Sequence, residues 1–153
     1  MVASIGNSKP TRKKLLVLDT DHFSELERDL EPGKRLSQTL GLSVFDKALT
    51  VITIEEEMRG WLAEINRRRD PHRQIAPYAK LQRQAEAFAD WLILPWDADS
   101  ADLFVKFRRQ GLRVGSLDLK VACIALAHDA TVLTRNATDF AQLPGLRIEN
   151  WLD

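Results

Sequence analysis

The residues best suited to chemistry in this chain are acids set directly behind short apolar runs. Asp19 and Asp21 follow Leu15-Leu16-Val17-Leu18, and Glu55-Glu56-Glu57 follow Leu49-Thr50-Val51-Ile52-Thr53-Ile54. Asn136 and Asp139 follow Thr131-Val132-Leu133-Thr134, and Asp118 stands just behind Gly115-Ser116. Carboxylates gathered in one place repel one another and need a neutralising group. A hard divalent cation such as Mg²⁺ serves well, because it takes oxygen ligands and keeps several waters. Such an ion lowers the pKa of a bound water and stabilises charge on a phosphate undergoing displacement. The sequence offers no competing catalytic set. His22, His72 and His128 have neither metal-ligand nor nucleophile spacing, and no G-x-S-x-G, P-loop or G-x-G-x-x-G motif occurs.

Whether these acids meet depends on the elements that carry them. Leu15–Leu18 predicts a short buried strand, followed by a helix with Phe23, Leu26 and Leu30 at helical spacing that Pro32-Gly33 interrupts. The β-branched run Leu49–Ile54 predicts a second strand, with a helix opening at Glu55 on an apolar stripe of Met58, Trp61, Leu62 and Ile65. Further helices are expected from about Tyr78 to Leu92, from Asp97 to Gln110, from Leu117 to His128 behind a Ser116 cap, and from Asn136 to Leu143. Their inward residues are Leu81, Ala85, Phe88 and Leu92 in the first, and Ala101, Phe104, Val105 and Arg108 in the second. Leu92–Trp96 reads as extended, and Thr131–Thr134 and Leu146–Trp151 as strands. Short apolar strands alternating with helices point to βαβ units and a mostly parallel sheet covered on both faces. Right-handed crossovers place every strand-to-helix junction on one edge of that sheet, the carboxyl edge where ligands bind.

Each acidic block also has a purely structural reading. Thr53-Ile54-Glu55-Glu56 fits a capping box, Asn136-Ala137-Thr138-Asp139 nearly repeats it, and Ser116 with Asp118 forms an N-cap followed by an acid near the helix dipole. Taken singly, each acid is a cap; taken together at one sheet edge, they are a candidate cation site. The pattern leaves both readings open.

Composition sets the outer bounds. The chain has 153 residues, enough for one domain with a real core, and 44% hydrophobic against 29% charged residues marks it as globular. The longest uncharged apolar run, Val121–Ala127, falls far short of the roughly 20 residues of a membrane span. Residues 1–14 are polar, contain Pro and Gly, and end in basic residues; they read as a flexible leader to a single domain over 15–153. A single cysteine, Cys123, excludes an internal disulfide, and with no apolar signal segment the expected location is cytoplasmic. Equal numbers of basic and acidic side chains, 22 of each, argue at first against a nucleic-acid partner. The sum hides a segment from Asn66 to Gln84 that holds Arg67, Arg68, Arg69, Arg73, Lys80 and Arg83 against Asp70 alone. This segment is a candidate RNA-facing arm, with Arg67, Arg68, Arg69 and Arg73 for phosphates and Tyr78 for stacking on a base.

Several blocks resemble PIN-domain nucleases. Leu18-Asp19-Thr20-Asp21-His22-Phe23-Ser24 resembles their opening strand and turn, and Glu55-Glu56-Glu57-Met58-Arg59-Gly60 their second motif, in which a Glu stands four residues before a Gly. Gly115-Ser116-Leu117-Asp118 is similar to the third. Thr134-Arg135-Asn136-Ala137-Thr138-Asp139-Phe140, followed by Pro144-Gly145-Leu146 and Trp151, is similar to the C-terminal signature of VapC-type toxins. The resemblance spans Leu15 to Asp153 and implies a three-layer α/β/α fold and a Mg²⁺-dependent endoribonuclease, with Mn²⁺ as an alternative ion. Homodimerisation and a small VapB-like antitoxin partner are also implied. Carried over, it makes Asp19, Glu56, Asp118 and Asp139 the catalytic and metal-holding acids, with Thr20, Ser24 and Asn136 positioning water or phosphate. Two alternatives keep the fold: a PIN-type nuclease acting in RNA processing, and an inactive module that binds a partner.

Overall fold

The computed structural model describes residues 14–28 and 30–153. The leader expected over 1–14 lies, apart from Lys14, outside them. Strand β1 (Leu15–Leu18) leads into helices α1 (Thr20–Arg28) and α2 (Gly33–Leu42), and β2 (Asp46–Thr50) into α3 (Val51–Asn66). A 3-10 turn at Pro71–Gln74 precedes α4 (Ile75–Phe88), β3 (Leu92–Leu94), α5 (Ala98–Arg109) and α6 (Ser116–Ala127). The chain closes with β4 (Thr131–Leu133), α7 (Ala137–Phe140) and β5 (Arg147–Glu149). Gly111, with φ 79°, ends α5 in the left-handed region that favours glycine.

The described strands form one sheet in the order β3-β2-β1-β4-β5, and every pairing is parallel. The chain therefore builds outward from β1 in one direction and then returns to add β4 on its other side. That reversal makes the β1/β4 boundary the topological switch point, where the connections diverge and leave a crevice. Successive residues of β1 serve opposite faces, as pleating requires. Val17 joins Ala48, Val132 and the apolar residues of α6 in one core. Leu16 and Leu18 join Phe23, Leu36, Leu40 and Leu49 in the other. The result is the expected three-layer α/β/α architecture. Helix α6 is buried on most of its surface, which is why its sequence is apolar on nearly every side. Its Cys123 is buried, and burial pushes the thiol up to about 11, so it behaves as a small hydrophobe. Among the described residues no helix is long and apolar enough to cross a membrane.

The structure corrects several boundaries. The run Leu49–Ile54 is not one strand: β2 stops at Thr50, whose hydroxyl accepts the Thr53 backbone N–H at 3.2 Å and caps α3. Burial of Ile52 and Thr53 overrides the β preference of Val51–Ile54. Glu56 is therefore in the second turn of a helix and is not part of a capping box. Gly115, not Ser116, is the N-cap of α6. Helix α4 begins before Tyr78, since Pro77 lies in its first turn, where a missing N–H costs nothing. Leu92 belongs to β3 and Ala85 is exposed. Met58, Leu62 and Val105 face outward, because Ile52, Thr53 and Ile65 carry the buried face of α3, and Ser100 and Phe107 that of α5. Helix α7 and strand β5 are shorter than expected.

Helix α2 has no counterpart in the sequence reading. Only Leu36 and Leu40 anchor its apolar side, set among Lys, Arg, Ser, Gln and Thr. It can pack on α1 because of Gly33: a Cβ there would lie 2.0 Å from the Glu25 carbonyl oxygen. Gly33→Ala should therefore destabilise the protein by about 2 kcal/mol. Thermal melts should show a drop of roughly 5 °C, whereas Gly41→Ala, in the same helix with nothing within 4 Å of its Cβ, should hold or raise the melting temperature.

Candidate active site

The acids meet at the switch point. Asp19 is the first residue beyond β1, and its backbone N–H continues the ladder to Leu133 at 2.9 Å, so its position is set by the central strand pair. Its side chain is 6% exposed. One carboxylate oxygen accepts the Thr20 N–H at 2.9 Å and the other accepts the Thr134 hydroxyl at 2.8 Å. Burial pushes the Asp19 carboxyl up to about 7; these two hydrogen bonds oppose the rise, and the Asp21 and Asp118 charges add to it.

The other acids come from three helices. Helical rotation of about 100° per residue separates the three consecutive glutamates of α3. Glu55 pairs with Arg59, Glu56 accepts the Thr20 hydroxyl at 2.9 Å, and Glu57 accepts Ser24 at 3.3 Å and Gln84 at 2.8 Å. Glu56 is thus the glutamate tied to the Asp19 turn. Asp118, in the first turn of α6, and Asp139, in α7, are joined by the Asn136 amide, which donates at 3.1 Å and 3.0 Å respectively. Asn136 stands at the N-cap of α7 but makes no side-chain cap bond, so its amide serves the acids instead. Burial raises Glu56 and Asp118. The Asp118 and Glu57 charges add to the first, and the Asp139 and Asp21 charges to the second.

Among the described residues, no lysine or arginine side chain pairs with Asp19, Glu56, Asp118 or Asp139. No group of three or more carboxylate, thiolate or imidazole side chains forms a ready-made ligand cage there either. The donor set nevertheless suits a hard cation in kind. It consists of carboxylate oxygens, those of Asp19, Glu56 and Asp118 with raised pKa values. Mg²⁺ needs only one or two carboxylates directly because it keeps its waters.

Other expected residues are placed differently. Ser24 reaches Glu57 and not the acids of the switch point. Arg67 and Arg68 pair with Glu64 at 2.8 Å and 2.9 Å, and Arg73 lies 4.0 Å from Asp70. Arg69 is exposed. This basic cluster begins beyond the end of α3, about 15 Å along the helix from Glu56. The structure does not bring it to the carboxylates. Closer to them, a groove of about 540 Å³ opens between α1, α3 and α4, lined by Ser24, Glu57, Trp61, Lys80 and Arg83. Thr134 and Asp21 also belong to the site. Thr134 is the first residue after β4, the position where Asp19 follows β1, and that symmetry was a usable signal.

No family model matches the chain. A curated ribonuclease, VapC2 of Rickettsia felis, is 38% identical over 50 residues, which span 33% of this chain and 37% of that protein. The chain thus matches little more than a third of this relative's length. Among solved structures, VapBC of Salmonella typhimurium bound to DNA superposes with a TM-score of 0.69 at 25% identity, covering 91% of this chain and 98% of the other. VapBC2 of Rickettsia felis, bound to a promoter fragment, gives 0.67 at 20% identity over 90% and 98% of the two chains. VapBC-5 of Mycobacterium tuberculosis gives 0.54 at 27% identity over 89% and 96%. This is a VapC-type PIN fold. The resemblance read from the motifs is borne out in the fold, and in this chain Asp19, Glu56, Asp118 and Asp139 lie where the parallel sheet changes direction.

The Asp19 shift has a thermodynamic consequence. The folded chain holds this proton more tightly than the unfolded chain, so the associated stability is present in acid and is lost as pH rises through about 7. In EDTA the melting temperature should fall by roughly 5 °C between about pH 5.5 and about pH 8. Asp19→Asn should flatten that slope and raise the melting temperature at the alkaline end. An unchanged slope in the variant would contradict the assignment.

Proposed function

We propose that this chain is the toxin component of a VapBC-type pair, a Mg²⁺-dependent endoribonuclease that also accepts Mn²⁺. The observation that carries the proposal is the set of four acids, Asp19, Glu56, Asp118 and Asp139, gathered without a counter-cation at the switch point of a VapC-type fold. These acids would hold the ion, directly or through water. The bound ion supplies a more acidic water and stabilises charge on the phosphate being displaced.

The chain's own residues set the geometry. The Thr134 hydroxyl and the Thr20 N–H orient the Asp19 oxygens, the Thr20 hydroxyl orients Glu56, and Asn136 spaces Asp118 from Asp139. When Asn136 turns from this bridge its amide is free to donate to a phosphate oxygen. Lys80 and Arg83, in the groove beside Glu57, would take phosphates next to the cut, and the Arg67–Arg69 and Arg73 cluster more distant ones. A cytoplasmic homodimer held inactive by a VapB-like antitoxin completes this reading.

Asp19→Asn and Asp118→Asn should each lower cleavage of labelled RNA by at least about a thousandfold, as expected from losing several kcal/mol of charge stabilisation, with circular dichroism unchanged. EDTA should abolish cleavage by antitoxin-free protein, and Mg²⁺ or Mn²⁺ should restore it. Full activity in both variants would reject the site. Lys80→Ala with Arg83→Ala should raise KM and flatten the salt dependence of RNA binding by about one to two charges. Replacing Arg67, Arg68 and Arg69 should do less, because Glu64 already holds two of them.

A further inference from the structure

His22 is fully buried beside the acids, and no step of the proposed chemistry uses it. Its two hydrogen bonds settle where its proton lies. The Trp151 backbone N–H donates to Nε2 at 3.1 Å, so Nε2 is bare. Nδ1 then carries the ring proton and donates it to the Asp21 carboxylate at 2.6 Å. A second proton on Nε2 would set two donors against each other in a dry pocket, an arrangement that costs free energy.

The other Asp21 oxygen accepts the Arg135 backbone N–H at 2.9 Å and lies 3.4 Å from the Thr134 hydroxyl. Asp21 is therefore an acceptor on both sides. Arg135 and Asn136 follow directly on Thr134, and the Asn136 N–H donates to the Thr134 hydroxyl at 3.0 Å. The turn that aims Thr134 at Asp19 and Asn136 at Asp118 is thus clamped at Asp21. Asp21 in turn is held by a ring whose far nitrogen is seated on the C-terminal segment.

We propose that His22 is a positioning residue: as the neutral Nδ1–H imidazole, seated on the Trp151 backbone, it fixes Asp21 against the turn Thr134-Arg135-Asn136. Through that turn, the Nδ1–H donor to Asp21 sets how Thr134 and Asn136 are presented to the acids. The kinetic part of this inference rests on the ribonuclease reading; the hydrogen-bond part does not.

The test starts with metal-free, RNA-free protein. ¹⁵N NMR of histidine-labelled full chain should show His22 with a protonated Nδ1 and a bare Nε2, assigned by its loss in the variants below. A protonated Nε2 would overturn the proposal whatever the activity. Two variants then separate the two contacts. His22→Asn places an amide near the Nδ1 position and keeps the donor to Asp21, whereas His22→Gln reaches the Nε2 position and keeps the acceptor for Trp151. Hydrogen exchange of the Arg135 amide should stay within about twofold of the parent in His22→Asn and quicken about tenfold in His22→Gln. With RNA and Mg²⁺, kcat should fall about tenfold in His22→Gln with KM unchanged, and much less in His22→Asn. Equal Arg135 protection in the two variants would overturn the proposal. If the parent protein cleaves no RNA, the ribonuclease reading falls, and the NMR and exchange results still decide the role of His22.

Discussion

Burying a carboxylate at the end of the central strand costs free energy unless donors or charge meet it. Here Asp19 is met by a hydroxyl and a backbone N–H, and no basic side chain takes part. That choice shapes the rest of the site. Thr134 must stand directly behind β4 to reach Asp19, so β4 must pair with β1. This pairing in turn creates the switch point at which Asp118 and Asp139 arrive from the opposite layer. Had an arginine been placed there instead, the acids would have been neutralised and their pKa values left low. Hydroxyl and amide donors orient the oxygens while leaving the negative charge available.

How much of this was legible in the sequence varies with the physical origin of each feature. The alternation of apolar runs and helices was legible, because a strand buried on both faces must be apolar throughout, and the parallel sheet followed from it. Asp19 and Asp139 were legible because they follow strands closely, and Asp118 because it opens the apolar helix α6, although that helix follows α5 and not a strand. The choice among Glu55, Glu56 and Glu57 came from resemblance alone; the structure explains it by helix rotation, which turns only Glu56 toward Thr20. The start of α3 was misplaced because Val51–Ile54 favour a strand locally, whereas packing of Ile52 and Thr53 draws them into a helix. Helix α2 escaped notice because its stability lies in the close approach of Gly33 to α1, which no periodicity reports.

The basic segment teaches a related lesson about counting charge along a chain. From Asn66 to Gln84 the sequence carries five more positive than negative charges, but Glu64, two residues outside that window, pairs with both Arg67 and Arg68. Lys80 and Arg83 from the same window fall on another face, next to Glu57 and Ser24. A helix sorts charges by angle as well as by order, so neighbours in sequence serve different surfaces. The zero net charge of the chain is the sum of these separated fields.

The pairing of β1 with β4 also bears on how the chain acquires its site during synthesis. Leu16, Val17 and Leu18 sit opposite Thr131, Val132 and Leu133, so the central strand gains its second neighbour only when the C-terminal end of the polypeptide arrives. Asp19 likewise receives its hydroxyl donor from a residue 115 positions later. Contacts this distant close late, since the intervening loop entropy must be overcome first. A chain made only through α6 lacks Thr134, Asn136 and Asp139, so its Asp19 has no hydroxyl donor and its Asp118 no amide partner.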